Sequence, residues 1–147
     1  AKEAHELALR LAQGFELAGI LAIELFVTKD ERVIVNELAP RPHNSGHYTI
    51  EACSFDQFDA HIRGIAGWPL EQPQLLKPAV MVNVLGQHVA PTRALIADHP
   101  EWNVHDYCKA EVRHDRKMGH ITVLTDDTAK TVADLEATGC WDDLKKA

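Results

Sequence analysis

Apolar residues recur at Ala4, Leu7, Ala8, Leu11, Ala12, Phe15 and Ala18, which is the i, i+3, i+4, i+7 stripe of an amphipathic helix. Lys2, Glu3, Glu6, Arg10, Gln13 and Glu16 fall off the stripe, and Gly19 is placed to cap the helix. The period then changes. Residues 20–27 are apolar apart from Glu24, as in a buried strand, residues 28–32 supply a polar turn, and Val33-Ile34-Val35 opens a second strand. The pair reads as a β-hairpin. Past Tyr48 and Ile50-Glu51-Ala52-Cys53, helical spacing returns at Phe55, Phe58, Ile62 and Ile65, with Ser54 as N-cap and Asp56 and Gln57 in the first turn.

Gly67-Trp68-Pro69-Leu70-Glu71-Gln72-Pro73-Gln74 interrupts every period and reads as the crossing between two domains, residues 1–68 and 69–147. Beyond it the pattern predicts a strand over 79–86, a short helix over 92–97, and strands over 104–108 and 119–124. A last helix, capped by Asp127 or Thr128, carries Ala129, Val132, Ala133, Leu135 and Glu136. With both helices and strands predicted, the expected fold class is α+β.

The two strands bring chemistry with them. A hairpin turning symmetrically about Asp30-Glu31 pairs residues whose numbers sum to 61, so Glu24 faces Glu37. Facing carboxylates repel, and a buried one needs a cation, a donor or a proton. A divalent cation resolves the conflict, and with the amide oxygen of Asn36 the pair forms a hard-oxygen set suited to magnesium. A bulge would shift the register by one and still leave Glu24 near Asn36-Glu37. The alternative is that Glu37 stands in water at a strand end and Glu24 pairs with a Lys or Arg.

Out of this strand runs Leu38-Ala39-Pro40-Arg41-Pro42-His43-Asn44-Ser45-Gly46-His47. Two prolines flanking a cation predict a rigid loop that holds side chains for a ligand rather than a solvated connector. His43 and His47 lie four apart, but in a Pro-broken loop, so helical zinc ligation does not follow. A zinc site built on them and a further His stays open as a separate class. Further on, Lys109, Arg113, His114, Arg116, Lys117 and His120 crowd into twelve residues. They are read either as a phosphate or carboxylate site or as a solvated basic turn.

Composition narrows the partners. The chain has 147 residues, 46% of them hydrophobic, with three Trp, four Phe and two Tyr, and can bury an aliphatic core. No apolar run approaches the ~18 residues that span a bilayer, so the expectation is a soluble, cytoplasmic protein. A net charge of −7 argues against a nucleic-acid or membrane surface, and the basic cluster lacks interleaved aromatics. Cys53, Cys108 and Cys140 are scattered and in no CxxC spacing, and read as reduced, mostly buried thiols. Ala1 already falls inside the helical pattern, without an initiator Met or a leader-like segment, so a piece of a longer polypeptide is expected.

A strand Glu24, followed a dozen residues later by Asn36-Glu37 and then a Pro-Arg loop, resembles the metal-binding end of the ATP-grasp ligases. Within them, residues 36–47 and the Arg116-Lys117-Met118-Gly119-His120 segment resemble the 5-(carboxyamino)imidazole ribonucleotide synthetases of purine biosynthesis. Formate-dependent glycinamide ribonucleotide transformylase shares the Pro-Arg-Pro-His loop but is not expected to share its Asn-Ser-Gly-His continuation. The resemblance implies the C-terminal part of an ATP-grasp domain, an antiparallel sheet with helices, followed by a small α/β C-terminal domain. It also implies an ATP-dependent carbon–nitrogen ligase that carboxylates aminoimidazole ribonucleotide with bicarbonate, and a homodimer of the full-length protein.

By the same resemblance, Glu24 and Glu37 would hold Mg2+ against the phosphates of ATP, with Asn36 and Glu37 on the nucleotide side. Arg41, His43 and Asn44 would line the reacting carboxyphosphate and bicarbonate, and Arg116 and Lys117 would take the ribonucleotide's 5′-phosphate. Upstream parts that such an enzyme needs are not among these residues, so the chain alone is expected to be inactive. A non-catalytic domain that keeps the fold is the competing reading.

Overall fold

A computed structural model describes residues 2–143; Ala1, on which the mid-helix start rests, lies outside them. The chain forms two compact units. The first holds the described residues up to Ile50 together with Ser54–Gln74, and the second holds Glu51–Cys53 and the described residues from Leu75 onward.

The first unit opens with helix α1 (Lys2–Gly14), which stops four residues short of the expected stripe. Glu16 turns left-handed at φ 48°, and the last turn closes through Phe15 N–H to Leu11 O and Leu17 N–H to Ala12 O. Gly19 is therefore not the cap. Its role is close approach: a Cβ on Gly19 would sit 2.6 Å from His61 Nδ1, and one on Gly64 would sit 2.8 Å from the Gly19 Cα. The Ile20 N–H donates to His61 Nδ1 at 3.1 Å beside this contact.

Strands β1 (Ala22–Val27) and β2 (Val33–Ala39) make the hairpin. Ala22, Ile23 and Glu24 pair with Ala39, Leu38 and Glu37, whereas Leu25, Phe26 and Val27 pair with Val35, Ile34 and Val33. Asn36 is the extra residue of a β-bulge. The symmetric pairing thus holds on the side of the carboxylates and slips by one toward the turn. β1 is not a buried strand, however. Phe26 and Val27 are exposed, and the Glu24 side chain is 43% exposed. Composition cannot tell an apolar strand that is covered from one that is not.

A short helix α2 (Thr49–Ala52) leads to α3 (Gln57–Ala66). The cap of α3 is Asp56, whose carboxylate accepts from Phe58 N–H and Asp59 N–H at 2.7 and 2.8 Å. Ser54 instead accepts from Gln74 N–H at 3.0 Å. A charged acceptor adjacent to the first helical residue outcompetes a hydroxyl two positions earlier. The helix also turns its apolar stripe outward: Phe58, Ile62 and Ile65 are exposed, while Gln57 and Ala60 are buried.

In the second unit, β3 (Ala79–Leu85), β4 (Asn103–Asp106) and β5 (Lys117–Leu124) form one antiparallel sheet in the order β3-β5-β4. Being central, β5 is buried from Met118 through Val123 on both faces. Helices α4 (Val89–Leu95) and α5 (Thr128–Ala137) complete the unit, α4 starting three residues before the expected Thr92 and α5 capped by Asp127. The core is Val84, Trp102, Ile121, Val123, Leu135, Cys140 and Trp141. Trp141 meets Trp102 edge-on at 6.1 Å and donates its indole N–H to the Asn83 carbonyl at 2.9 Å. All three cysteines are free; Cys140 is buried and Cys53 half-buried, but Cys108 is exposed, against expectation. No helix among the described residues is long and apolar enough to cross a membrane.

Candidate functional site

The bulge decides what the hairpin offers. By inserting Asn36 beside the Glu24–Glu37 pair, it turns the amide toward the opposite strand, where Asn36 Nδ2 donates to Glu24 Oε2 at 3.3 Å. His43 Nε2 lies 3.7 Å from Glu24 Oε1, and its side chain is 14% exposed. Glu37 is exposed and has no hydrogen bond or ion pair among the described residues. Among the described residues Glu24 therefore pairs with neither Lys nor Arg.

Two facing carboxylates with one of them uncompensated, and an amide between them, fit a hard divalent cation. Among the described residues, no three His, Cys, Asp or Glu side chains converge as a ligand set, so further ligands would have to be the Asn36 amide, water or a ligand's phosphate oxygens. His43 and His47 do not form a zinc pair. His43 Nδ1 contacts Ser45 Oγ at 2.9 Å, and His47 Nδ1 contacts Gln57 Nε2 at 2.8 Å.

The loop is held from both ends. Ala39 is buried at the end of β2 and accepts from Arg41 N–H at 2.8 Å. The exposed Arg41 guanidinium donates to the Pro42 carbonyl at 3.0 Å. His43 caps a 3-10 turn over Asn44–Gly46, and its imidazole accepts from Ser45 N–H. The Oδ1 atom of Asn44 is buried and has no hydrogen-bond partner among the described residues, an acceptor that a ligand's donor would satisfy.

Sequence reasoning missed Gln57. Read as an ordinary first-turn residue, it is 8% exposed, and its amide bonds His43 through the backbone N–H (2.9 Å) and the carbonyl (2.8 Å). The available signal was its chemistry: a neutral amide follows the Asp56 cap where an acid would better suit the helix dipole.

The basic run divides. Arg113 pairs with Glu111, Arg116 donates to the Glu111 carbonyl at 3.2 Å, and Lys109 donates to the Lys117 carbonyl and lies 5.4 Å from the Tyr107 ring centroid. His120 leaves the surface altogether. Its ring stacks on His105 at 4.4 Å, and its Nδ1 contacts the Tyr107 hydroxyl at 2.9 Å. Burial raises the Tyr107 pKa above its ordinary value. Arg113, His114, Arg116 and Lys117 are all exposed, and of these Arg116 and Lys117 stand at the start of β5. Glu24, Glu37, Asn36 and His43 are thus gathered in the first unit, while Arg116 and Lys117 belong to the second.

Residues 1–58 match the ATP-grasp domain family, and residues 79–134 match the phosphoribosylaminoimidazole carboxylase C-terminal domain. The chain thus joins part of an ATP-grasp domain to that C-terminal domain. Its relatives include N5-carboxyaminoimidazole ribonucleotide synthases. That of Staphylococcus saprophyticus is 47% identical over 131 residues, covering 88% of this chain and 35% of the relative.

Among ATP-grasp enzymes of known structure, the Staphylococcus aureus N5-carboxyaminoimidazole synthetase in complex with ADP superposes with a TM-score of 0.87. It is 45% identical, with 93% of this chain and 37% of that chain covered. The Aspergillus clavatus synthase, in complex with ADP and 5-aminoimidazole ribonucleotide, gives a TM-score of 0.82 at 33% identity, over 93% of this chain and 38% of that one. The chain therefore spans little more than a third of the relatives it matches.

Proposed function

We propose that this chain supplies the metal-binding end of the nucleotide site and the C-terminal domain of a synthetase that carboxylates aminoimidazole ribonucleotide with ATP and bicarbonate, in the cytoplasm. The observation that carries the reading is the Glu24–Glu37 pair with Asn36 bulged between the strands, immediately before the Pro-Arg-Pro-His loop, inside the stretch that matches the ATP-grasp family. The relative solved with ADP and 5-aminoimidazole ribonucleotide supports the choice of substrate. The two domains would divide at residues 68 and 69, and the full protein would act as a homodimer.

Glu24 and Glu37 would hold Mg2+, with Asn36 as a neighbouring oxygen donor. The ion would neutralise charge on the transferred phosphoryl group. In the first step a bicarbonate oxygen bonds to the γ-phosphorus and ADP leaves, giving carboxyphosphate. In the second, the substrate amine attacks the carboxyl carbon, inorganic phosphate departs, and the nitrogen gives up a proton. Arg41 is the cation for carboxyphosphate oxygens. His43 and the unpartnered Asn44 Oδ1 orient bicarbonate, whose hydroxyl can donate to that oxygen. Arg116 and Lys117 receive the 5′-phosphate, Lys as a point charge and Arg as a fork.

The test uses the full-length protein that carries these residues, with ADP release followed in Mg2+, ATP and bicarbonate. The expected result is release stimulated by aminoimidazole ribonucleotide and lost in Glu37→Ala. A folded protein without that stimulation would overturn the substrate assignment.

A further inference from the structure

We propose that Gln57 is a positioning residue for Arg41, His43 and Asn44, and that it fixes His47 in the tautomer protonated at Nε2. The positioning role rests on the reading of function above; the tautomer stands on geometry alone.

The orientation of the Gln57 amide is set by backbone groups whose roles are not open to choice. The His43 N–H can only donate, so the Gln57 atom 2.9 Å from it is the carbonyl oxygen; the His43 carbonyl can only accept, so the atom 2.8 Å from it is the amino group. That same amino group lies 2.8 Å from His47 Nδ1. A donor there requires a lone pair on Nδ1, which places the ring proton of neutral His47 on Nε2. Protonating the ring would set two N–H groups head to head against an amide only 8% exposed to solvent.

The surroundings leave the amide little freedom. Gln57's own N–H donates to Thr49 Oγ1 at 3.1 Å, and the Thr49 hydroxyl donates to the Gly46 carbonyl at 2.6 Å. A Cβ on Gly46 would stand 2.4 Å from Gln57 Oε1 and 2.8 Å from its Cδ, so only glycine lets the turn close over the amide. The His47 ring is stacked on Phe58 at 5.6 Å and 15°. Prolines fix φ at 40 and 42, and Gln57 then pins the peptide groups on both sides of the His43 Cα. From that Cα the imidazole reaches to 3.7 Å from Glu24. A loop held this way needs no ordering when a ligand arrives.

The experiment is done on the full-length protein with selectively 15N-labelled histidine, beside steady-state ADP release. Gln57→Glu keeps an acceptor for His43 N–H and removes both donors. Gly46→Ala keeps the amide but pushes it aside. In the unaltered protein near neutral pH, His47 should show an unprotonated Nδ1 and a protonated Nε2. In Gln57→Glu the proton should move to Nδ1. Both variants should lose about 10²-fold in kcat, the penalty of a displaced reacting group, with the KM for ATP changed by less than about threefold.

A proton on Nδ1 in the unaltered protein would overturn the tautomer. Either variant, folded and with undiminished kcat, would overturn the positioning role; if Gln57→Glu does not fold, Gly46→Ala alone decides it. An unaltered protein that releases no ADP in response to the ribonucleotide would sink the functional reading instead, and the nitrogen signals would still decide the clamp.

Discussion

Glu37 shows how a single position can work against stability. It faces Glu24 across the ladder, it is exposed, and no cation among the described residues answers it. The pairing was legible in the sequence because a polar turn centred on Asp30-Glu31 leaves few registers, and the bulge that the structure adds falls between the carboxylates and the turn. The partner of Glu24 was not legible. His43 is nineteen residues away, and nothing local says that its ring will swing back to 3.7 Å. The residue-scale consequence is a change of sign. Glu37→Gln should abolish magnesium-dependent ADP release, yet without metal it should stabilise the fold by a few tenths of a kcal/mol, since like charges directly opposite cost at most about 1 kcal/mol and exposure screens them. Thermal melts with and without magnesium check this. A Tm lower than that of the unaltered protein in metal-free buffer would mean that the two carboxylates do not repel.

At the scale of elements, periodicity found every helix and strand except α2, and it misjudged what those elements bury. The stripe of α1 runs to Ala18, but a left-handed Glu16 follows the helix end at Gly14, and Gly19 packs on Gly64 instead of capping it. In α3 the apolar spacing of Phe58, Ile62 and Ile65 was real, whereas the buried residues are Gln57 and Ala60. Hydropathy reports which side could be buried, not which side has a hydrogen-bonded loop to hold. The start of α3 is a testable part of that device, since the Asp56 cap sets where Gln57 points. Asp56→Ala should cost about 1 kcal/mol, the usual worth of an N-cap, and Ser54→Ala should leave α3 intact while loosening only its bond to Gln74. Amide exchange through residues 57–66 is the measurement. Equal protection loss in both variants would return the cap to Ser54.

For the molecule as a whole, the residues proposed for the metal and for the ribonucleotide's phosphate fall in two units, and that division should appear in kinetics. The proline-rich stretch 67–74 reads as a crossing in the sequence, and in the structure it stays with the first unit as far as Gln74. That Glu51–Cys53 join the second unit was not readable, because it depends on a bridge between Cys53 and Leu75, residues twenty-two apart. The basic run was similarly half-legible: six cations and histidines in twelve residues mark a charged segment, but the central place of β5 in its sheet buries His120 and leaves Lys117, at the strand's end, outside. If Glu37 serves the nucleotide and Lys117 the ribonucleotide's phosphate, their losses must differ in kind. Lys117→Ala removes one charge-assisted contact, worth roughly 1.5–3 kcal/mol, so the KM for aminoimidazole ribonucleotide should rise about 10- to 100-fold. Any ADP release that bicarbonate supports without ribonucleotide should stay unchanged. Glu37→Ala should remove that release as well. Initial rates over a ribonucleotide titration separate the two, and an equal fall of the ribonucleotide-free rate in both variants would show that Lys117 belongs to the nucleotide instead.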